Sequence, residues 1–310
     1  MAMFTLKSNL NIQIMKKMKI TGLLILSLII GSNSFGQSTE QLTVPLSSPG
    51  KPYSLKIQLV TGSIKVVSYD GKDILINATP RSDDETKGSK TNGNFNVNIN
   101  FRKGDKDKED ESDFDKSGMK RIASSGGFEV TAKEADNNVT VNTGNPNKAV
   151  DLDLKIPQDV KLKIGTVNDG EISVENVRGE LEVSNVNEKI TLDKVSGSVM
   201  ANTVNGDIVV NFSKVDPNAP MAFSTLNGDI KVTLPIDTKA NLKLKSDNGE
   251  IFSDFDVVVD KTPGKVDKIS TPGMYKIKKD DWVYGKINGG GAEMLMKNMQ
   301  GDIYLKKAAK

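Results

Sequence analysis

The sequence predicts an all-β protein: a right-handed, parallel β-helix-like solenoid with coils of about 18–22 residues and one inserted charged loop. Three observations carry that prediction. Ile172, Leu181, Ile190, Val199 and Ile208 recur nine residues apart, and each opens a short apolar-x-apolar strand. An asparagine turn precedes every second strand, at Asn168-Asp169-Gly170-Glu171, Asn187-Glu188-Lys189, Asn205-Gly206-Asp207, Asn227-Gly228-Asp229 and Asn248-Gly249-Glu250. The asparagines are 19, 18, 22 and 21 residues apart, and self-similarity at such a period marks units that stack on one another. The alternating strands between the turns leave no room for a helix.

A hairpin meander is the competing reading, because Asn-Gly also closes two-residue hairpins. It has no need of the same turn at the same phase. A coil corner does, since equivalent residues then stack about 4.8 Å apart. The prediction is therefore an interior ladder of Ile172, Ile190, Ile208, Ile230 and Ile251, with Leu181 and Val199 in a second one. Asn168, Gly170, Asn187, Asn205, Gly206, Asn227, Gly228, Asn248 and Gly249 are read as structural turn residues, at corners where the backbone favours positive φ.

Taken in chain order, Lys16, Lys17 and Lys19 precede an apolar run from Ile20 to Ile30, and Gly31-Ser32-Asn33-Ser34-Phe35-Gly36 follows. That is the pattern of a signal peptide over residues 1–36, with 1–14 as an upstream extension and cleavage after Gly36. The run is too short for a transmembrane anchor, so the mature chain is expected to be exported with none. Residues 37–310 are expected to form a single β-solenoid domain. Its first strands are Leu55–Leu59, Ile64–Val66 and Ile74–Ile76. A flexible insertion is predicted at about 79–125, within which Phe95–Phe101 reads as a strand. Residues 102–121 there hold seven basic and seven acidic side chains, too little apolar surface to order alone. The beat resumes at Phe128–Val130, Val139–Val141, Val150–Leu154 and Leu162–Ile164. After an interruption at 257–279, a last coil runs from Ile287 through Met294–Met296 to Ile303–Leu305, with Lys306, Lys307 and Lys310 guarding an exposed final rung.

Composition excludes much chemistry. The 310 residues contain no cysteine and no histidine, which removes disulfides, thiolate and imidazole metal sites, cysteine nucleophiles and histidine acid–base catalysis. Four of the 42 basic residues and none of the 40 acidic ones lie in residues 1–36, leaving 38 basic against 40 acidic. That balance gives no basic face for nucleic acid.

The phrase Thr203-Val204-Asn205-Gly206-Asp207-Ile208, its echoes at Thr225–Ile230 and Ser246–Ile251, Val150-x-Leu152-x-Leu154-x-Ile156-Pro157 and Gly285-Lys286-Ile287-Asn288-Gly289-Gly290-Gly291 together resemble the bacterial "putative adhesin" family of unknown function, over about residues 50–305. That family is similar to the head domains of auto-transporter adhesins built as β-helices or β-rolls. The resemblance implies a β-solenoid of the cell envelope, carries no catalytic or ligand residues, and leaves a regulatory role in envelope stress open.

Two chemical readings compete with a scaffold. A calcium β-roll needs Gly-Gly-x-Gly-x-Asp at each turn, whereas here one acid (Glu171, Asp207, Asp229, Glu250 or Asp302) directly precedes the strand. A polysaccharide-degrading β-helix would use paired carboxylates, and stacking would bring Asp207 near Asp229, but any repeated acid produces that pair. Tyr275, Trp282 and Tyr284 form an aromatic stretch suited to a glycan or protein partner, or to capping the open end of the solenoid. The expectation is a non-enzymatic, secreted cell-envelope β-helix, an adhesin or surface scaffold, with no cofactor, no metal and no nucleic-acid partner. A carbohydrate-binding or polysaccharide-degrading β-helix and a periplasmic partner in envelope-stress regulation are the alternatives.

Overall fold

Alternation of inward aliphatic and outward polar side chains produces 22 strands in the computed structural model, which describes residues 39–81, 127–146, 148–260, 266–271, 274–279 and 281–309. The predicted signal peptide and most of the predicted insertion, including Phe95–Phe101, lie outside the described residues. In chain order the first strands are β1 (Glu40–Pro45), β2 (Tyr53–Gln58), β3 (Ile64–Ser68), β4 (Asp73–Pro80), β5 (Val130–Ala135), β6 (Asn138–Thr143) and β7 (Val150–Ile156). The central repeats supply β8 (Val160–Gly165), β9 (Ile172–Glu175), β10 (Arg178–Ser184), β11 (Ile190–Asn202), β12 (Ile208–Val215), β13 (Met221–Ser224) and β14 (Ile230–Leu234). The chain closes with β15 (Ala240–Asn248), β16 (Ile251–Ser253), β17 (Val258–Val259), β18 (Val266–Thr271), β19 (Met274–Lys279), β20 (Val283–Ile287), β21 (Ala292–Gln300) and β22 (Ile303–Lys307).

The strands pair as the rungs of a two-faced parallel solenoid. One sheet runs β6, β2, β8, β10, the second half of β11, β13, β21, β15, every neighbour parallel. The other runs β7, β3, β9, the first half of β11, β12, β14, β22, β16, again parallel throughout. Each coil is one strand from each sheet, so the fold is the predicted β-helix-like solenoid and not a hairpin meander. The strands of the two parallel sheets turn alternate side chains inward, and the interior is a set of aliphatic ladders. One of them reads Leu152, Ile64, Ile172, Ile190, Ile208, Ile230, Ile303, Ile251 in space, and all but the last are fully buried. Leu181 and Val199 are neighbours in the opposite sheet, as expected.

The spatial order corrects the sequence reading at both ends. Coil β2–β3 lies between β6–β7 and β8–β9, and coil β21–β22 lies between β13–β14 and β15–β16. Ile303 therefore separates Ile230 from Ile251. The C-terminal lysines Lys306 and Lys307 sit on a paired inner strand rather than on the final rung. The physical reason is that all coils present the same inward ladder, so a coil that returns after a long connection stacks as well as its sequence neighbour. Antiparallel strands close the ends: β5 on β6 and β4 on β7 with β1 beyond it, and at the other end β20 on β15 with β17 beyond that. An outer strand laid across an edge hides groups that would otherwise pair with another chain.

Two kinds of corner join the sheets. On one side of the coil the turn is tight: Asn176 (φ 57°) and Lys194 (φ 51°) take the left-handed conformation, and Val177 and Val195 plug the interior beside them. The other corner carries the asparagine phrase.

Candidate functional site

The asparagine corner is built from four rows of stacked residues. The innermost row is polar. Thr166, Asn185, Thr203, Thr225, Asn298 and Ser246 each donate a hydrogen bond to a backbone carbonyl of the preceding coil, on Gly62, Gly170, Glu188, Gly206, Gly228 and Gly301 respectively, at 2.9–3.3 Å. A turn that buries its carbonyls must satisfy them, and one hydroxyl or amide per coil does so. Asn185 also accepts at Oδ1 from the backbone N–H groups of Val186, Asn187 and Glu188. In the inserted coil, Asn298 is fully buried and its Oδ1 finds no donor among the described residues.

The next row points outward and is apolar: Val60, Val167, Val186, Val204, Leu226 and Met299 follow one another coil by coil. Val186 is half-buried and the other five are 38–44 % exposed. Asp247 ends the row in the last coil, tied to Lys245 at 2.9 Å. The ridge was missed in the sequence, although its signal was present there. Each member is the x of the Thr-x-Asn phrase or its equivalent, and an aliphatic side chain repeated at a turn has no interior to fill.

The third row is the asparagines. Asn187 donates to Asn168 Oδ1 (3.0 Å), Asn205 to Asn187 (3.1 Å) and Asn227 to Asn205 (2.7 Å). Gln300 of the inserted coil lies between Asn227 and Asn248. None of these asparagines has positive φ, so their part is an amide ladder rather than the left-handed turn expected of them. The glycines supply close approach. A Cβ on Gly228 (φ +144°) would lie 2.2 Å from the Gly206 carbonyl oxygen, and one on Gly170 or Gly249 would meet the carbonyl of Gly62 or Gly301 at 1.9 Å. Gly206 is held likewise against Glu188.

The fourth row holds the residues just before the second-sheet strands: Glu171, Lys189, Asp207, Asp229, Asp302 and Glu250. The Asp207, Asp229 and Asp302 carboxylates each accept the backbone N–H of the next coil's acid, at 2.9 Å. Lys231 Nζ spans Asp229 (2.9 Å) and Asp207 (3.6 Å). Partial burial pushes the Asp229 carboxyl up, but the Asp302 N–H and Lys231 outweigh it and hold the group below its usual range. The hydrogen bond from Lys231 to Asp229 raises the lysine in turn. The bond from the Tyr304 hydroxyl to Asp302 (2.9 Å) raises that phenol. These carboxylates act as caps for the neighbouring coil. Among the described residues no three carboxylates converge as a metal-ligating group.

The aromatic stretch lies elsewhere. Tyr275 is on β19, and its side chain lies outside the described residues. Trp282 and Tyr284 flank and occupy β20, the strand that covers the last coil. Lys243 Nζ sits 4.9 Å from the Trp282 ring centroid, and Tyr284 is exposed. Both therefore lie on or beside the strand laid along the edge of the last coil. A groove of about 540 Å³ at the tight corner is lined by Arg178, Glu180, Leu181, Met200, Asp216 and Pro220. Its charged groups are partly committed, Arg178 to Asp159 and Glu180 to Lys161.

Fold and corner together define a parallel β-solenoid whose repeated residues maintain the stack and whose outward corner presents an uncharged ridge. The chain belongs to the Toastrack DUF4097 family, whose model matches residues 123–306. A crystal structure described as a "putative cell adhesion protein" from Clostridium sporogenes ATCC 15579 is similar at a TM-score of 0.42 and 12% identity, covering 88% of this chain and 100% of that chain. No curated protein matches.

Proposed function

We propose that this is a non-enzymatic, exported β-solenoid of the cell envelope that serves as an adhesin-like surface scaffold and docks through the asparagine-corner ridge. The observation that carries the reading is the unbroken row from Val60 to Met299, exposed at five of its six positions with Val186 half-buried, and bordered by neutral amides. A contiguous exposed apolar row rimmed by polar residues is the kind of surface that interaction sites use. The corner acids favour a scaffold over catalysis, because their oxygens cap the next coil.

The test is direct. Fractionated cells are expected to hold the protein outside the cytoplasm, and protease added to intact cells is expected to remove it. Purified protein is expected to adhere to those cells, and Leu226→Asp with Val204→Asp to abolish adhesion while the variant still unfolds cooperatively. A cytoplasmic protein, or adhesion untouched by the ridge variants and lost instead in Tyr284→Ala, would refute the reading.

A further inference from the structure

We infer that the ridge is also a homodimer interface, in which two copies pack ridge to ridge with their solenoid axes parallel, about a two-fold axis running along the ridge. The inference rests on the ridge being the interaction surface of this protein, and it names a second copy of the chain as one occupant. Six rungs at about 4.8 Å give an apolar row about 24 Å long, and two-fold symmetric pairs are the commonest closed assemblies.

The charges beside the ridge select the partner and its direction. About an axis along the ridge, every ridge residue faces its own counterpart, and each flank meets the opposite flank of the other copy at the same coil. In the coil of Val167 the flanking residues are Lys163 and Glu171; in the coil of Val186 they are Glu182 and Lys189. The sign reverses on both flanks together, so Lys163 meets the partner's Glu171 and Glu182 meets the partner's Lys189. Lys163 and Glu182 also bond each other at 2.6 Å, which extends the alternation along each copy. In the next two coils one flank is uncharged, Met200 and Ala222. The opposing acids there, Asp207 and Asp229, are already neutralised by Lys231 of their own chain. In the inserted coil that flank is again uncharged, Leu295, in register with Ala222 and Met200. Reversing one copy instead sets Glu171 against Asp229, like against like, turns Lys163 and Glu182 toward the uncharged Ala222 and Met200, and keeps only Lys189 against Asp207 as an opposite pair. Matched charges at the rim fix orientation and exclude the wrong pairing, while the apolar row supplies the burial.

The chain has no cysteine, so single cysteines report the geometry without interference. Val167→Cys, Val204→Cys and Met299→Cys are each expected to form a disulfide with their own counterpart on mild oxidation, because all three lie on the axis. Sedimentation equilibrium is expected to show a dimer for the unaltered protein. Leu226→Asp, which sets two carboxylates face to face, is expected to weaken it at least about tenfold, as charge does at the centre of an interface. These positions are exposed, so a cooperative melting transition confirms that the variants fold. Cross-linking confined to Val204→Cys would overturn the parallel arrangement. A monomer that cross-links nowhere would overturn self-pairing, and the separate cell-adhesion measurement would then show whether the ridge still serves another molecule.

Discussion

At the scale of single residues, the corner works because polar and apolar side chains alternate along the turn with different partners. Thr225 shows the balance. Its hydroxyl is buried and bonds the Gly206 carbonyl at 3.0 Å. Thr225→Val keeps the shape and removes the donor, leaving that carbonyl unsatisfied at a cost of about 1–3 kcal/mol, to be read from thermal or denaturant unfolding. A null result would mean that water reaches the carbonyl. The asparagines were visible in the sequence as corner residues, because Asn-Gly recurs at fixed phase. Their ladder was not, since a side-chain amide pairs across coils and not along the chain. The ridge residues were equally visible as letters. They were passed over because a repeated residue reads as scaffold until the structure shows which way it points.

At the scale of elements, alternation along each strand was legible because one face must be buried, and the expected apolar pairs Ile172/Val174 and Ile190/Leu192 point inward as read. Stacking order was not legible, because the ladders of different coils are interchangeable. Specific polar contacts fix what the ladders leave open. Arg81, just past β4, grips Asp151 at the start of β7 with two hydrogen bonds (2.6 and 2.7 Å), and Ser63, just before β3, bonds the same carboxylate through its N–H and hydroxyl. Burial pushes the Asp151 carboxyl up, but the Arg81 and Ser63 bonds outweigh it and hold the group below its usual 3.8. A depressed native pKa stabilises the fold fully above the unfolded value and is lost as pH falls through the folded value. The stability advantage of the unaltered protein over Asp151→Asn is therefore expected to hold at neutral pH and to shrink as pH drops below 3.8, measured by denaturant melts across that range. An advantage that did not change with pH would contradict the assignment.

At the scale of the whole molecule, the inserted coil decides whether a continuous surface exists. Met299 follows Leu226 on the ridge, and Gln300 follows Asn227 in the amide row, only because β21–β22 lies between β13–β14 and β15–β16. With sequence-order stacking the ridge would run from Leu226 straight into Asp247 and end one coil earlier. The coil order is thus the claim on which the surface, its proposed docking and its self-pairing all depend. The most direct measurement is disulfide mapping on the second sheet, where Lys231 is in register with Tyr304 and Tyr304 with Phe252. A disulfide forms only when the two Cα atoms are within about 7 Å, which adjacent coils satisfy and next-but-one coils, at about 9.6 Å, do not. Intramolecular disulfides are expected in Lys231→Cys/Tyr304→Cys and in Tyr304→Cys/Phe252→Cys, and none in Lys231→Cys/Phe252→Cys. A disulfide in that last pair, with Tyr304→Cys unable to cross-link to either, would contradict the account.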